Sequence, residues 1–318
     1  MISYRPFLNG DIPSIVAIWK NHGPDPALAK EISADLFDRL VLSKLYFDRQ
    51  GLIMALEEKK IVGFVHAGFG PNADESQIDT ARGVVSLLLI HANHANPQIA
   101  DGLLAQAERY LSARGATTIA AIGLGDLCPF YLGLYGSCDL PGVFESDKNR
   151  TDFFERHDYR PNDQILCYKK EVTGFRPTPS RSTMRLRRSL HIEFASDPTA
   201  RSWWDACTQG CLPQLSATVR SIGAKEMFAK ALFWDMQTLT GPGSERSMGL
   251  SRLEMSDPAA PPGTGEYLLQ ECFHYLQQQG IERVLGQCGK EDLSRAMLLK
   301  SAGMEHYDTG TLWSKNVV

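Results

Sequence analysis

Nowhere in the 318 residues is there an apolar run long enough to cross a bilayer. The best, Val84–Ile90, has the length of a strand, against the roughly 18 uninterrupted residues that a membrane helix needs. A secretory leader is also missing from the expected pattern, because Met1-Ile-Ser-Tyr-Arg-Pro has no basic stretch followed by an apolar core. Cysteine is present but unpatterned. The seven, at 128, 138, 167, 207, 211, 272 and 288, form no C-x-x-C pair, and no further Cys or His pair at ligand spacing accompanies Cys207 and Cys211. That argues against a zinc site or a disulfide framework, so a reducing cytoplasm and no metal are expected. An excess of positive charge is lacking too: the net charge is −4, which speaks against nucleic acid as a partner. The one basic run, Arg181–Arg188 (RSTMRLRR), reads as a solvated linker. Glycine (27) and proline (17) are scattered, which excludes collagen-like and low-complexity chains.

What remains is an ordinary globular composition, 43% hydrophobic and 22% charged, at a length that favours two domains of roughly 100–200 residues each. The stretch Val172-Thr-Gly-Phe-Arg-Pro-Thr-Pro-Ser-Arg-Ser is rich in turn formers and has no periodicity, as an inter-domain linker would. The expected division is an N-terminal domain over 1–172, a linker over 173–190 and a C-terminal domain over 191–318.

A repeat relates the two domains. Shifted by 165 residues, Val84–Ile90 and the segment after it align without a gap on Gly249–Met255 and its continuation. Ser86 then meets Ser251, Leu103-Leu104 meets Leu268-Leu269, Tyr110-Leu111 meets Tyr275-Leu276 and Gly115 meets Gly280. Leu103, Leu104, Ala107 and Leu111 recur at helical spacing, as do Leu268, Leu269, Cys272, Phe273 and Leu276. Gly115 and Gly280 stand where a C-terminal cap belongs, and Thr117–Ile122 and Arg283–Gln287 read as buried strands. Strand, loop, helix, strand is a β-α-β crossover. Ahead of the first one, Leu52–Leu56 and Ile61–Ala67 read as a hairpin. The fold class expected is therefore mixed α/β, with two alike domains, each a mostly antiparallel sheet that contains one β-α-β unit and is flanked by helices.

The loops that open the two helices carry the chemistry. A loop leading from a strand into a helix aims free N–H groups and the positive end of the helix dipole at one point, where a phosphate or pyrophosphate fits. In the second half Gly263-Thr264-Gly265 lets the backbone come close to such an anion, and in the first half Gln98-Ile99-Ala100 holds the same places.

These residues resemble the GNAT superfamily of acyl-CoA-dependent N-acyltransferases. Ile90-His-Ala-Asn-His-Ala-Asn-Pro-Gln-Ile-Ala-Asp-Gly-Leu-Leu104 and Met255-Ser-Asp-Pro-Ala-Ala-Pro-Pro-Gly-Thr-Gly-Glu-Tyr-Leu-Leu269 both overlay its strand-end, Arg/Gln-x-x-Gly-x-Gly/Ala and paired-leucine pattern. Phe154–Tyr159 and Leu299–Met304 look like divergent forms of the family's Tyr-x-x-x-Gly-Phe helix end. The resemblance covers nearly the whole chain as a tandem pair, an arrangement like that of mycothiol synthase. It implies transfer of an acetyl or acyl group from CoA to an amine of a small molecule or peptide, in a monomer that is its own pseudo-dimer or in a homodimer, with no nucleic acid or membrane partner. It also implies cofactor contacts at Ile90, Gln98, Ile99, Ala100, Asp101 and Gly102 in one half and at Met255, Gly263, Thr264, Gly265 and Glu266 in the other.

Direct transfer needs a base and, for the leaving thiolate, an acid. Glu254, one residue before the end of the second cofactor strand, is the first candidate base, although an exposed carboxylate on an alternating strand is the plainer reading. His91, with His94 beside it, is the candidate in the first half. The family's tyrosine falls on Phe154 and Leu299, neither of which donates a proton, so Tyr131 and Tyr135 are candidate acids. Both lie in an insert of about 20 residues, deduced from the drop in shift from 165 to 145 between the β-α-β unit and the last helix. Further departures are Ala95 and Ala260 in place of the loop's Arg or Gln, and Pro97, Pro261 and Pro262, which each remove an N–H donor. The alternatives are a non-catalytic acyl-CoA-binding or protein-interaction module and, more distantly, a nucleotide-binding enzyme. The latter lacks a Gly-Lys-Ser/Thr step after either loop.

Overall fold

The computed structural model describes residues 1–23, 28, 32–123, 127, 130–177, 179–223, 226–239, 245–257 and 259–317. The first half runs β1 (Ile2–Pro6), α1 (Ile12–Lys20), α2 (Ala34–Phe37), β2 (Leu52–Glu57), β3 (Lys60–Pro71), β4 (Ile78–Ile90), α3 (Pro97–Ala113), β5 (Thr118–Ala121), β6 (Val143–Phe144), α4 (Lys148–Arg156) and β7 (Arg160–Glu171). The second repeats it: α5 (Arg181–Ser189), β8 (Leu190–Ser196), α6 (Trp203–Gln209), β9 (Gln214–Ser221), β10 (Met227–Asp235), β11 (Ser247–Met255), α7 (Thr264–Gln278), β12 (Arg283–Gly289), α8 (Leu293–Ser301) and β13 (Glu305–Asn316). The linker region is not structureless. Ser180 accepts the N–H of Thr183 and starts α5, and Leu186 drops its side chain into the second core, so the arginines of 181–188 decorate a helix.

All these strands form one sheet, in the order β1-β2-β3-β4-β5-β13-β7-β12-β11-β10-β9-β8, with β6 beside β13. Two pairs are parallel, β4 with β5 and β11 with β12, as the crossovers α3 and α7 require. The last strand of each half crosses over. β13 pairs with β5 of the first half, β7 pairs with β12 of the second, and the two lie antiparallel at the centre. Each half thus completes its sheet with a strand from the other.

The two cofactor strands carry the same irregularity. In β4 the register against β3 passes from Leu87 to Val85, and in β11 the register against β10 passes from Arg252 to Leu250, so Ser86 and Ser251 are bulged out. Parallel pairing stops at the same place, after Val85↔Ala121 and after Leu250↔Gly286. Beyond the bulge each cofactor strand continues alone and the pair splays apart.

The bulge fixes which side chains face where. Val85, Leu88 and Ile90 in β4, and Met248, Leu250, Leu253 and Met255 in β11, face the crossover helices. Val84, Leu87 and Leu89, and Gly249, Arg252 and Glu254, face the other side, where α1, α2, α6 and residues 130–144 lie.

Candidate functional site

The two helix entrances differ. At α3, Asn96 Oδ1 accepts the N–H of Gln98 at 2.9 Å, and the N–H groups of Ile99 and Ala100 bond to Asn96 O at 3.0 and 3.4 Å. Asp101, one turn into the helix, is held by His157 at 2.9 Å and Arg156 at 3.4 Å, while Gly102 lies against the Tyr4 ring. The first half therefore occupies its own amides. At α7 no side chain caps the first turn. Gly263 enters it at φ +86°, a conformation that favours glycine. Thr264 turns both its N–H and its hydroxyl back to Pro261 O, at 3.1 and 2.7 Å. That leaves the Gly265 and Glu266 amides uncapped. Gly265 is closely packed: a Cβ there would lie 2.9 Å from Leu298 Cδ2 and 3.2 Å from Met255 Sδ, so these side chains would have to shift to admit one. Glu266 sits in the same turn and accepts from Gln270 Nε2 at 3.0 Å.

On the opposite face the halves diverge again. Leu87 and Leu89 are sealed in the first core, at 1% and 3% exposure. The residues in their places are Arg252 and Glu254. Arg252 holds Glu254 through Nε at 3.6 Å and the buried Asp205 of α6 through Nη2 at 3.3 Å. Glu254 is partly exposed and pairs across the sheet with Lys230.

Tyr131 and Tyr135 lie in the core of the first half. Tyr131 shares a hydrogen bond of 2.9 Å with His66 Nδ1 of β3, and Tyr135 packs on Phe144 and bonds to Asp147. Burial pushes Tyr131 well above the ordinary phenol range and pushes His66 down to about 3. The insert therefore fills the first half's open face: Phe130 lies on Gly68, and further along Trp234 of β10 lies on Gly133. Trp234 also donates to Cys138 O at 2.9 Å, which fastens the insert to the second half. Pro129 of this segment lies outside the described residues. His91 spends its Nδ1 on the Asn93 N–H at 3.2 Å, and His94 pairs with Glu57 at 3.0 Å. None of these four is near Glu254 in the sheet.

His66, Asp205 and Arg252 did not stand out in the sequence. Arg252 was legible in principle, since it lies two residues before Glu254 and strand side chains alternate. His66, in an unbroken apolar strand, gave no signal.

A cavity of about 380 Å³ opens beside the end of β12, lined among others by Arg82, Asp163, Gln164, Ile165, Lys290 and Glu291, with no residue of β11 in its lining. Two of the lining residues meet: Lys290 Nζ donates to Gln164 Oε1 at 2.5 Å.

A sheet of two alike halves, each with a bulged strand, a splayed parallel pair and a helix opening at the splay, defines the tandem GNAT architecture. Solved structures agree. The chain is similar to the GCN5-related glucosamine N-acetyltransferase region of a fungal multidomain GH3 β-N-acetylglucosaminidase, at 16% identity and TM-score 0.71 over 99% of this chain. It spans 38% of that longer protein. It is similar to a tandem GNAT protein of the clavulanic acid biosynthesis pathway, solved without AcCoA, at 12% identity and TM-score 0.67 over 99% of this chain and 98% of that one. A GCN5-related N-acetyltransferase of Sphaerobacter thermophilus matches at 14% identity and TM-score 0.63, over 99% and 95%. No family model and no curated protein matches by sequence. The fold is that of the tandem GNAT acetyltransferases.

Proposed function

We propose that the chain is an acyl-CoA-dependent N-acyltransferase whose second half carries the reaction and whose first half is structural. The observation behind this is the contrast at equivalent positions. Leu87, Leu89 and a self-capped α3 close one half, whereas Arg252, Glu254 and an uncapped α7 leave the other open.

In this reading the diphosphate lies on the amides of Gly265 and Glu266. The free edge of β11 beyond Leu250 offers its backbone to the amides of the pantetheine arm. The acceptor comes from the opposite face, where Glu254, held by Arg252, takes the proton from the attacking amine. The cavity beside β12 has the size of a small-molecule site, and the carboxylates of Asp163 and Glu291 suit a cationic amine.

The test is calorimetry of acetyl-CoA with the full chain, followed by thiol release across a panel of small amines and peptides. Binding is expected to be lost in Gly265→Val and kept in Ala100→Val, its counterpart in α3. Glu254→Gln should lower kcat by about 100-fold. Absence of CoA binding overturns the proposal. Binding without turnover on any acceptor favours the non-catalytic module, in keeping with Ala95, Ala260, Phe154 and Leu299.

A further inference from the structure

The short helix α6 carries Asp205, the partner of Arg252, yet residues of the first half grip both of its ends. At its last turn, Lys44, from the segment between α2 and β2, reaches across from the first half and is buried. Its ammonium donates to Cys207 O at 2.8 Å and Thr208 O at 3.1 Å, and lies 3.6 Å from Cys211 Sγ. Those contacts use all three donors of the ammonium, two of them on carbonyls of a helix end, which lack partners within the helix. Lysine is seldom withdrawn from water; here its whole hydrogen bonding goes to a helix of the other half.

At the start of α6, Glu75 in the turn between β3 and β4 takes Arg201 Nη2 at 3.0 Å on one oxygen and the Ser202 hydroxyl on the other. Glu75 holds φ +57°, a left-handed conformation that such a residue keeps only where its surroundings impose it. Between the two ends Tyr46 packs on Trp204, with ring centroids 4.7 Å apart.

The contacts continue through the helix. Ser202 Oγ accepts the N–H of Asp205 at 3.0 Å, and Asp205 Oδ2 accepts the N–H of Arg201 at 3.0 Å. Both bonds fix the buried carboxylate, whose Oδ1 takes Arg252 Nη2 at 3.3 Å. Arg252 Nε lies 3.6 Å from Glu254 Oε1. One line of polar contacts thus runs from Glu75 in the first half through Ser202, Asp205 and Arg252 to Glu254 in the second.

We propose that the first half positions the base of the second: Glu75 and Lys44 clamp α6, and α6, through Asp205, holds Arg252 and with it the Glu254 carboxylate. This rests on the acyl-CoA reading above, in which Glu254 takes the proton of the attacking amine. Glu75, Lys44 and Asp205 are positioning residues. A general base must sit within hydrogen-bond reach of the proton it removes, and a misplacement of about 1 Å can cost roughly 100-fold in rate.

Steady-state kinetics of the full chain, with acetyl-CoA and the amine that turns over best, test the proposal. Asp205→Asn should lower kcat by about tenfold with the KM for acetyl-CoA unchanged, and Asp205→Glu should recover part of the loss. Lys44→Met and Glu75→Gln should act in the same direction; Glu75→Gln, outside the core, serves where Lys44→Met melts too early to assay. In a Glu254→Gln background, Asp205→Asn and Glu75→Gln should lower kcat by less than about twofold further, because their effect passes through Glu254. A helix that only adds stability would lower the melting temperature and leave kcat per folded molecule unmoved, which overturns the proposal. Equal losses in the wild-type and Glu254→Gln backgrounds also overturn it, and leave the acyl-CoA reading standing. A wild type that binds no acetyl-CoA in calorimetry overturns both.

Discussion

His66 sits with no exposed surface against Phe47, Phe130 and Tyr131, and its Nε2 has no hydrogen-bond partner. Desolvation disfavours the cation there and pushes the imidazole down to about 3 from the 6.5 of an exposed histidine. Between those two values the unfolded chain binds a proton that the folded chain refuses, so stability is complete above pH ~6.5 and falls as the pH drops toward 3. From pH 7 to pH 5 this one group should cost about 2 kcal/mol. Urea melts at the two pH values measure it, and His66→Leu should lose that part of the pH slope. A slope equal to wild type in the variant would place the acid sensitivity elsewhere. Single residues of this kind were the least legible in the sequence. Glu254 could be singled out because it lies near the end of a strand that aligns with a second strand, but the burial of His66 is set by neighbours distant in the chain.

The secondary elements were far easier to read, for a physical reason: a helix or strand writes its burial into a period of residues. The apolar stripes of α3 and α7 are Leu103, Leu104, Ala107 and Leu111, and Leu268, Leu269, Cys272, Phe273 and Leu276, all buried. Ser86 and Ser251, paired by the 165-residue shift, turn out to be the bulges that open the two clefts. Where one residue per turn is apolar the period fades, and α5, which buries only Leu186 in its nine residues, read as a linker. The caps separate the two crossover helices functionally, which makes a prediction at this scale. Asn96→Ala removes the side-chain cap of α3 and should destabilise the chain by about 1 kcal/mol in urea titration. It should leave the KM for acyl-CoA untouched, because the open entrance is that of α7. A change in KM larger than the change in stability explains would move the cofactor to the first half.

The order of strands was the part no local pattern could hold. β7 and β13 each follow a short helix and an amphipathic run, and either could close its own half or the other; the choice is made by contacts between residues more than 100 positions apart, such as Arg283 with Glu171 at 2.6 Å and Leu285 against Lys169 in the register. The exchange has a mechanical result. If residues 1–175 are produced alone, β5 loses β13 and β7 loses both β13 and β12, leaving unpaired edges in the middle of what had been a continuous sheet. The insert loses Trp234, Leu239 and the bond of Ser137 to Gln287. Such a fragment should not fold as a monomer. It should either aggregate or pair with a second copy that lends its own β7, as the second half's β13 does in the intact chain. Size-exclusion chromatography and far-ultraviolet dichroism of residues 1–175, of residues 176–318 and of the two mixed after refolding together distinguish the outcomes. Recovery of a one-to-one complex with acyl-CoA binding is expected from the mixture. A monomeric, cooperatively melting first half would show that the crossed strands decorate a domain that was already complete.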